Sequence, residues 1–146
     1  LLSLAACQPG TAPAAPSATA ESGLAQVPLA VTGPSGSRHF IVEVARTPAD
    51  QQKGLMFRRS LAPDRGMIFP LPQPERATFW MKDTLIPLDL LFIRADGSIA
   101  NIAANAKPLD ESLIPSDGVV TEVLELPGGR AAELGIQAGD RVDWAR

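Results

Sequence analysis

Lys82, Asp83 and Thr84 set an amine, a carboxylate and a hydroxyl side by side, and a second carboxylate, Asp89, follows in the same stretch. Two carboxylates whose environments separate their pKa values can share acid and base work, so Asp83 and Asp89 with Lys82 define a hydrolase-type reading. Six positions apart with a turn between them, they need not converge. The same residues also suit a binding site. Met56 and Trp80 then give apolar contact while Arg58, Lys82 and Asp83 fix a ligand's orientation. In the plainest reading Lys82 and Asp83 are surface charges and Asp89 accepts nearby backbone N–H groups. The sequence lacks a Gly-x-Ser-x-Gly elbow, a phosphate loop and a metal-spaced cluster. A single Cys and a single His, His39, exclude an intrachain disulfide framework and a multi-histidine or cysteine zinc site. No cofactor or metal is expected, and binding is favoured over catalysis.

These residues sit in the stretch around which the chain is organised, Phe79-Trp80-Met81-Lys82-Asp83-Thr84-Leu85-Ile86-Pro87-Leu88-Asp89-Leu90-Leu91-Phe92-Ile93. Thr78 to Asp83 alternates, with Phe79, Met81 and Asp83 on one side. Leu88 to Ile93 is apolar on both sides, as in a strand covered on both faces. The prediction is strand, tight connection, central strand, with Lys82, Asp83 and Thr84 at the corner and Phe79, Leu90 and Phe92 buried. One of Arg58 and Arg59 is a candidate partner for Asp83 or Asp89.

Around this stretch the strand signals are short and numerous. His39 to Ala45 is rich in β-branched residues, and His39 at its start reads as a surface residue. Thr47-Pro48-Ala49-Asp50 gives an N-cap, a first-turn proline and an early acid, for a short helix stopped by Gly54. Leu71-Pro72-Gln73-Pro74 reads as a loop. Asp96-Gly97 between apolar runs predicts a two-residue hairpin turn. Val119 to Leu126 returns as a strand, Arg130 to Leu134 forms a second short helix closed by Gly135, and Gly139-Asp140 turns into a last strand with Trp144. Many short strands and only two short helices indicate a mainly β, single-domain β-sandwich or partly open barrel over residues 38–146.

The N-terminal residues have a different character. Leu4-Ala5-Ala6-Cys7 resembles the lipobox that ends a bacterial lipoprotein signal peptide, so residues 1–7 read as the remnant of such a signal. The resemblance implies lipid on the Cys7 sulfur and on its new N-terminus, enough acyl chains for a stable membrane anchor. Gln8 after the Cys implies the periplasmic face of the outer membrane in a Gram-negative host. Residues 8–37 are rich in Pro, Ala, Ser and Thr and read as a flexible tether, with a loose edge strand available from Leu24 to Val31. The partners expected are the membrane, through Cys7, and an envelope ligand or protein. A net charge of −3 makes no electrostatic case for nucleic acid.

Gly54-Leu55-Met56-Phe57-Arg58, Gly66-Met67-Ile68-Phe69, Phe79 to Thr84 with Ile86-Pro87-Leu88-Asp89, and the ending from Gly128 to Val142 resemble, in order, the bacterial domain-of-unknown-function family 192. The resemblance spans about residues 38–144 and implies a β-rich fold of sandwich type. It supplies no reaction. The family pattern has Asn where this chain has Asp83, so an amide there is replaced by a charge. A shorter similarity, Ala131 to Val142, matches the helix-to-strand corner of PDZ domains and implies a peptide-binding module as an alternative.

Overall fold

The computed structural model describes residues 22–146. Its strands are β1 (Gln26–Gly33), β2 (Gly36–Val44), β3 (Arg65–Glu75), β4 (Thr78–Phe79), β5 (Leu88–Ile93), β6 (Ile99–Ala106), β7 (Ile114–Pro115), β8 (Val120–Pro127) and β9 (Arg141–Trp144). Two short helices, α1 (Pro48–Lys53) and α2 (Arg130–Leu134), complete the elements of the described residues. Seven strands form one mixed sheet in the order β6-β5-β8-β3-β2-β1-β9, and β4 pairs with β7 apart from it. The sheet is open rather than a closed barrel. Its two ends nevertheless meet at a single bridge, Ser98 with Arg141.

Only β2 and β3 run parallel, joined through α1. That crossover needs a helix because parallel neighbours cannot be joined by a tight turn. The Thr47 hydroxyl accepts from Asp50 N–H at 3.1 Å, the Asp50 carboxylate accepts from Thr47 N–H at 3.3 Å, and Gly54 ends the helix at φ 47°.

Both faces of the sheet carry an apolar cluster, and β5 is buried along its whole length. Leu91 and Ile93 join Leu29, Phe40, Val42, Leu124 and Trp144 on one face. Leu88, Leu90 and Phe92 join Met67, Phe69, Met81 and Val123 on the other. Leu90 and Phe92 are fully buried as predicted. Phe79 is half-buried and packs edge-on against Phe69 and Phe92, with ring centroids at 5.3 and 6.1 Å.

Four local expectations change. The ordered sheet begins at Gln26, inside the stretch whose composition reads as tether, and β1 is an interior strand between β2 and β9. Its alternating Leu29 and Val31 are buried, and Pro28 precedes the stretch paired with β9, where that side of the strand is open. Strand β3 continues through Pro70, Pro72 and Pro74 to Glu75. Its pairing with β2 stops at Ile68, so the missing proline N–H groups are not needed on that edge. The Thr78-to-Asp83 alternation yields only the two-residue β4, because its partner β7 is equally short. At Asp96-Gly97 only Gly97 has positive φ, Gly97 N–H donates to Arg94 C=O and Arg94 N–H to Ser98 C=O. That is a three-residue loop ending in a left-handed glycine.

Candidate functional site

The corner after β4 is held from two sides. Phe57 N–H donates to Asp83 C=O at 2.9 Å, while Leu109 N–H donates to Thr84 C=O at 3.1 Å and Met81 N–H to Asp110 C=O at 2.8 Å. Phe57, Asp83 and Leu109 all have left-handed backbone, at φ 64°, 52° and 64°. Such geometry is uncommon for any residue with a Cβ and a clear outlier for bulky ones. Three of the four left-handed non-glycine residues among those described thus meet at one corner. Phe57 and Trp80 are exposed there, at 63% and 44%. Strain and exposed aromatic surface in one place are characteristic of a working surface.

Two adjoining cavities open at this corner and share Gln52, Lys53, Met56 and Trp80 as a common wall. The outer groove, about 350 Å³, is also lined by Phe57, Lys82 and Asp83. It therefore gathers four of the five sequence-predicted binding residues. The Lys82 ammonium lies over the Trp80 ring, 5.2 Å from its centroid. Arg58 is not part of this groove. Its guanidinium donates to both Glu43 carboxylate oxygens, at 3.0 and 2.8 Å, so its partner is neither Asp83 nor Asp89. Ser22 completes that pair by donating to Glu43.

The inner slot, about 170 Å³, lies between α1, β3 and the corner, with Leu55, Phe69, Phe79 and Thr84 in its walls and Glu125 among its lining. Glu125 is 5% exposed, and burial alone pushes its carboxyl up to about 8. Its β-sheet neighbours in register are Met67 on β3 and Leu90 on β5, both fully buried. Five carboxylates are buried among the described residues: Glu43, Asp89, Glu122, Glu125 and Asp140. Glu43 has Arg58. Glu122 accepts from the Trp144 indole at 3.1 Å and from Arg146 at 2.6 Å. Asp140 accepts from Gln137 N–H at 3.0 Å. Asp89 accepts from the backbone N–H groups of Asn105, Gly129 and Ala131 at 2.7–2.8 Å. Glu125 alone accepts no hydrogen bond among the described residues, and its carboxyl meets the open space of the slot, since no fully buried side-chain oxygen is left without a partner.

Sequence reasoning passed over Glu125, although a signal was present. Glu122 and Glu125 are three apart on a strand, so they must point to opposite faces. With both faces apolar, one glutamate has to enter each core. Asp89 has the backbone-accepting role anticipated for it. Its side chain points away from the face that bears the slot, so it and Asp83 do not form a carboxylate pair.

A further cavity of about 350 Å³ beside β1 and β2 includes His39, Asp64 and Asp143. All three are exposed side chains. No group of three or more metal-ligating side chains occurs among the described residues.

The model of the family described as "Uncharacterized ACR", domain-of-unknown-function family 192, matches residues 30–144. The chain belongs to that family. Among solved structures, a protein of unknown function from Novosphingobium aromaticivorans DSM 12444 is 50% identical with a TM-score of 0.84, over 92% of this chain and all of that one. A protein from Sinorhizobium meliloti 1021, provisionally described as a transcription regulator, is 40% identical with a TM-score of 0.80, over 83% of this chain and 95% of that one. No curated protein matches. Within this family 192 fold the PDZ-like similarity reduces to the α2–β9 corner, where Gly135 and Gly139 supply left-handed backbone at φ 69° and 93°. Helix-stop and turn chemistry of that kind is generic.

Proposed function

We propose that this family 192 chain is a non-catalytic binding module that takes an envelope ligand in the joined groove and slot. The observation that carries the reading is Glu125, an acid on a buried strand whose carboxyl opens into a cavity and not onto a protein donor, when every other buried acid has one. A carboxyl in a largely apolar slot is costly to ionise, and a ligand supplying a partner for it would lower that cost. Trp80, Met56 and Phe57 offer apolar contact at the mouth, and Lys82 and Asp83 add charges of both signs. Mass spectrometry of molecules co-purifying with the protein from its native envelope tests this. Wild type should retain a ligand that Trp80→Ala loses. Equal recovery from both would overturn the reading.

The module's place at the envelope rests on Cys7, which lies outside the described residues. In this reading Cys7 carries the lipid, on the periplasmic face of the outer membrane in a Gram-negative host, and the segment before Gln26 spaces the domain from the bilayer. Cys7→Ser should leave the protein unprocessed or release it from the membrane. Unchanged mass and membrane fractionation would sink the anchor.

A further inference from the structure

We propose that the inner slot takes the ammonium end of a primary amine, with the Glu125 carboxylate as its ion partner and aromatic rings around its alkyl stem. This rests on the binding reading above and names the ligand class for it. The groups around Glu125 point to a cation. Beside it in the sheet stand Met67, Phe69, Leu88 and Leu90, none of which can donate a hydrogen bond. From the corner, the Thr84 hydroxyl is already donated to Lys82 C=O at 3.1 Å. From α1, the Gln51 amide nitrogen donates to Ala45 and Pro70 C=O at 3.0 and 2.6 Å, while Gln52 and Lys53 line the slot as exposed side chains that make no hydrogen bond or ion pair with Glu125. Lys82 and Asp83 line the outer groove, not the slot. Among the described residues no cation forms an ion pair with Glu125, and burial alone displaces its titration.

Phe69, Phe79 and Trp80 present ring surface to the same space, and ring faces attract desolvated cations. An incoming carboxylate would meet a buried acid and would have to share its proton. An ammonium brings three donors to a carboxylate that receives none from the described residues. The proton balance is simple. In the free protein at neutral pH the carboxyl holds its proton. When the ammonium enters, that proton leaves to solvent and the carboxylate and ammonium pair.

The test is a ¹³C NMR titration of the Glu125 carboxyl in the folded protein, with and without n-butylammonium chloride, against sodium chloride at matched ionic strength. Alone, the carboxyl should titrate near 8. With the amine it should titrate lower by about one unit or more, a tenfold preference for the ionised form. Glu125→Gln should abolish the amine-dependent shift of the Trp80 indole resonance. An unmoved Glu125 titration, or an indole shift that survives Glu125→Gln at equal affinity, overturns the proposal. If sodium butyrate raises the titration and butylammonium does not, the amine class is wrong while the slot remains a ligand site. If neither probe acts and Trp80→Ala still loses its co-purified ligand, the amine inference fails alone.

Discussion

Asp89 and Glu125 lie one register step apart on the paired strands β5 and β8, since Leu90 stands opposite Glu125 and Asp89 opposite Leu126. They point to opposite faces of one sheet, and both are buried. Their surroundings differ in a single respect. Asp89 meets the start of α2, where Gly129 and Ala131 present N–H groups that no helical carbonyl can reach. Gly129 has no side chain to cap that helix, so Asp89 caps it from across the fold. Glu125 meets hydrocarbon and an open cavity. Equal burial therefore produces a structural acid on one face and an available one on the other. The donor inventory decides which is which.

The largest expected effect breaks the structural side. Asp89→Ala would strand three charge-assisted N–H donors, that of Ala131 buried and those of Asn105 and Gly129 part-buried, and should destabilise the fold by roughly 4–6 kcal/mol, read as a shift in denaturation midpoint. A loss below about 1 kcal/mol would mean that water replaces the carboxylate easily, and the contrast with Glu125 would collapse.

The next effect is a pH dependence. The folded-state pKa of Glu125 is raised to about 8 from an ordinary value of 4.5, so the folded state binds the extra proton between those limits. Stability is then complete below about pH 4.5, falls as pH rises through the window and levels off above about 8. Relative to Glu125→Gln, which cannot titrate, wild type should lose roughly 3–5 kcal/mol across that span. Denaturation midpoints of both proteins at the two ends of the window measure it. Parallel pH profiles would show that the Glu125 carboxyl is solvated or paired in solution.

A third, smaller effect concerns Arg58, which the sequence suggested for the groove and the fold commits to Glu43. Arg58→Ala should destabilise by roughly 2–3 kcal/mol, because Glu43 then stays buried with only Ser22 as a donor. It should leave ligand recovery from the folded fraction unchanged. Stable protein that has lost its ligand would return Arg58 to the site.

The part of the fold legible in the sequence is the part set by local chemistry. The Thr47-Pro48 helix start, the Gly54 and Gly135 stops and the two-faced apolar run at β5 all follow from residue type and spacing. Composition misled where proline-rich segments turned out to be strands, because an open strand edge tolerates proline and only the tertiary pairing shows where the edge is open. The site was legible in its rim. Met56, Trp80, Lys82 and Asp83 converge because they flank one corner and the loop hydrogen-bonded to it. Its floor was hidden, since Glu125 reaches the slot from a strand more than forty positions away in the sequence. Arg58 illustrates the converse. Proximity in sequence to Met56 suggested a shared site, but the left-handed turn at Phe57 sends the two side chains to different places.

The smallest effects separate rim from frame. Lys82 is part-exposed and rests on Trp80, so Lys82→Ala should change stability by no more than about 0.5 kcal/mol. Asp83 demands two variants because it has two roles to distinguish. Its backbone sits at φ 52° and its carbonyl anchors Phe57, so Asp83→Ala should cost about 1 kcal/mol through conformation alone. Asn tolerates left-handed backbone well, so Asp83→Asn should stay within about 0.5 kcal/mol of wild type while removing the charge. If Asp83→Asn keeps its stability and its co-purified ligand, Asp83 serves the corner's shape and the family's usual amide does the same work. If stability holds but the ligand changes or is lost, the carboxylate at the groove selects it. A large loss of stability in Asp83→Asn would mean the carboxylate itself holds the corner, and the rim would then belong with Asp89 on the structural side of the comparison.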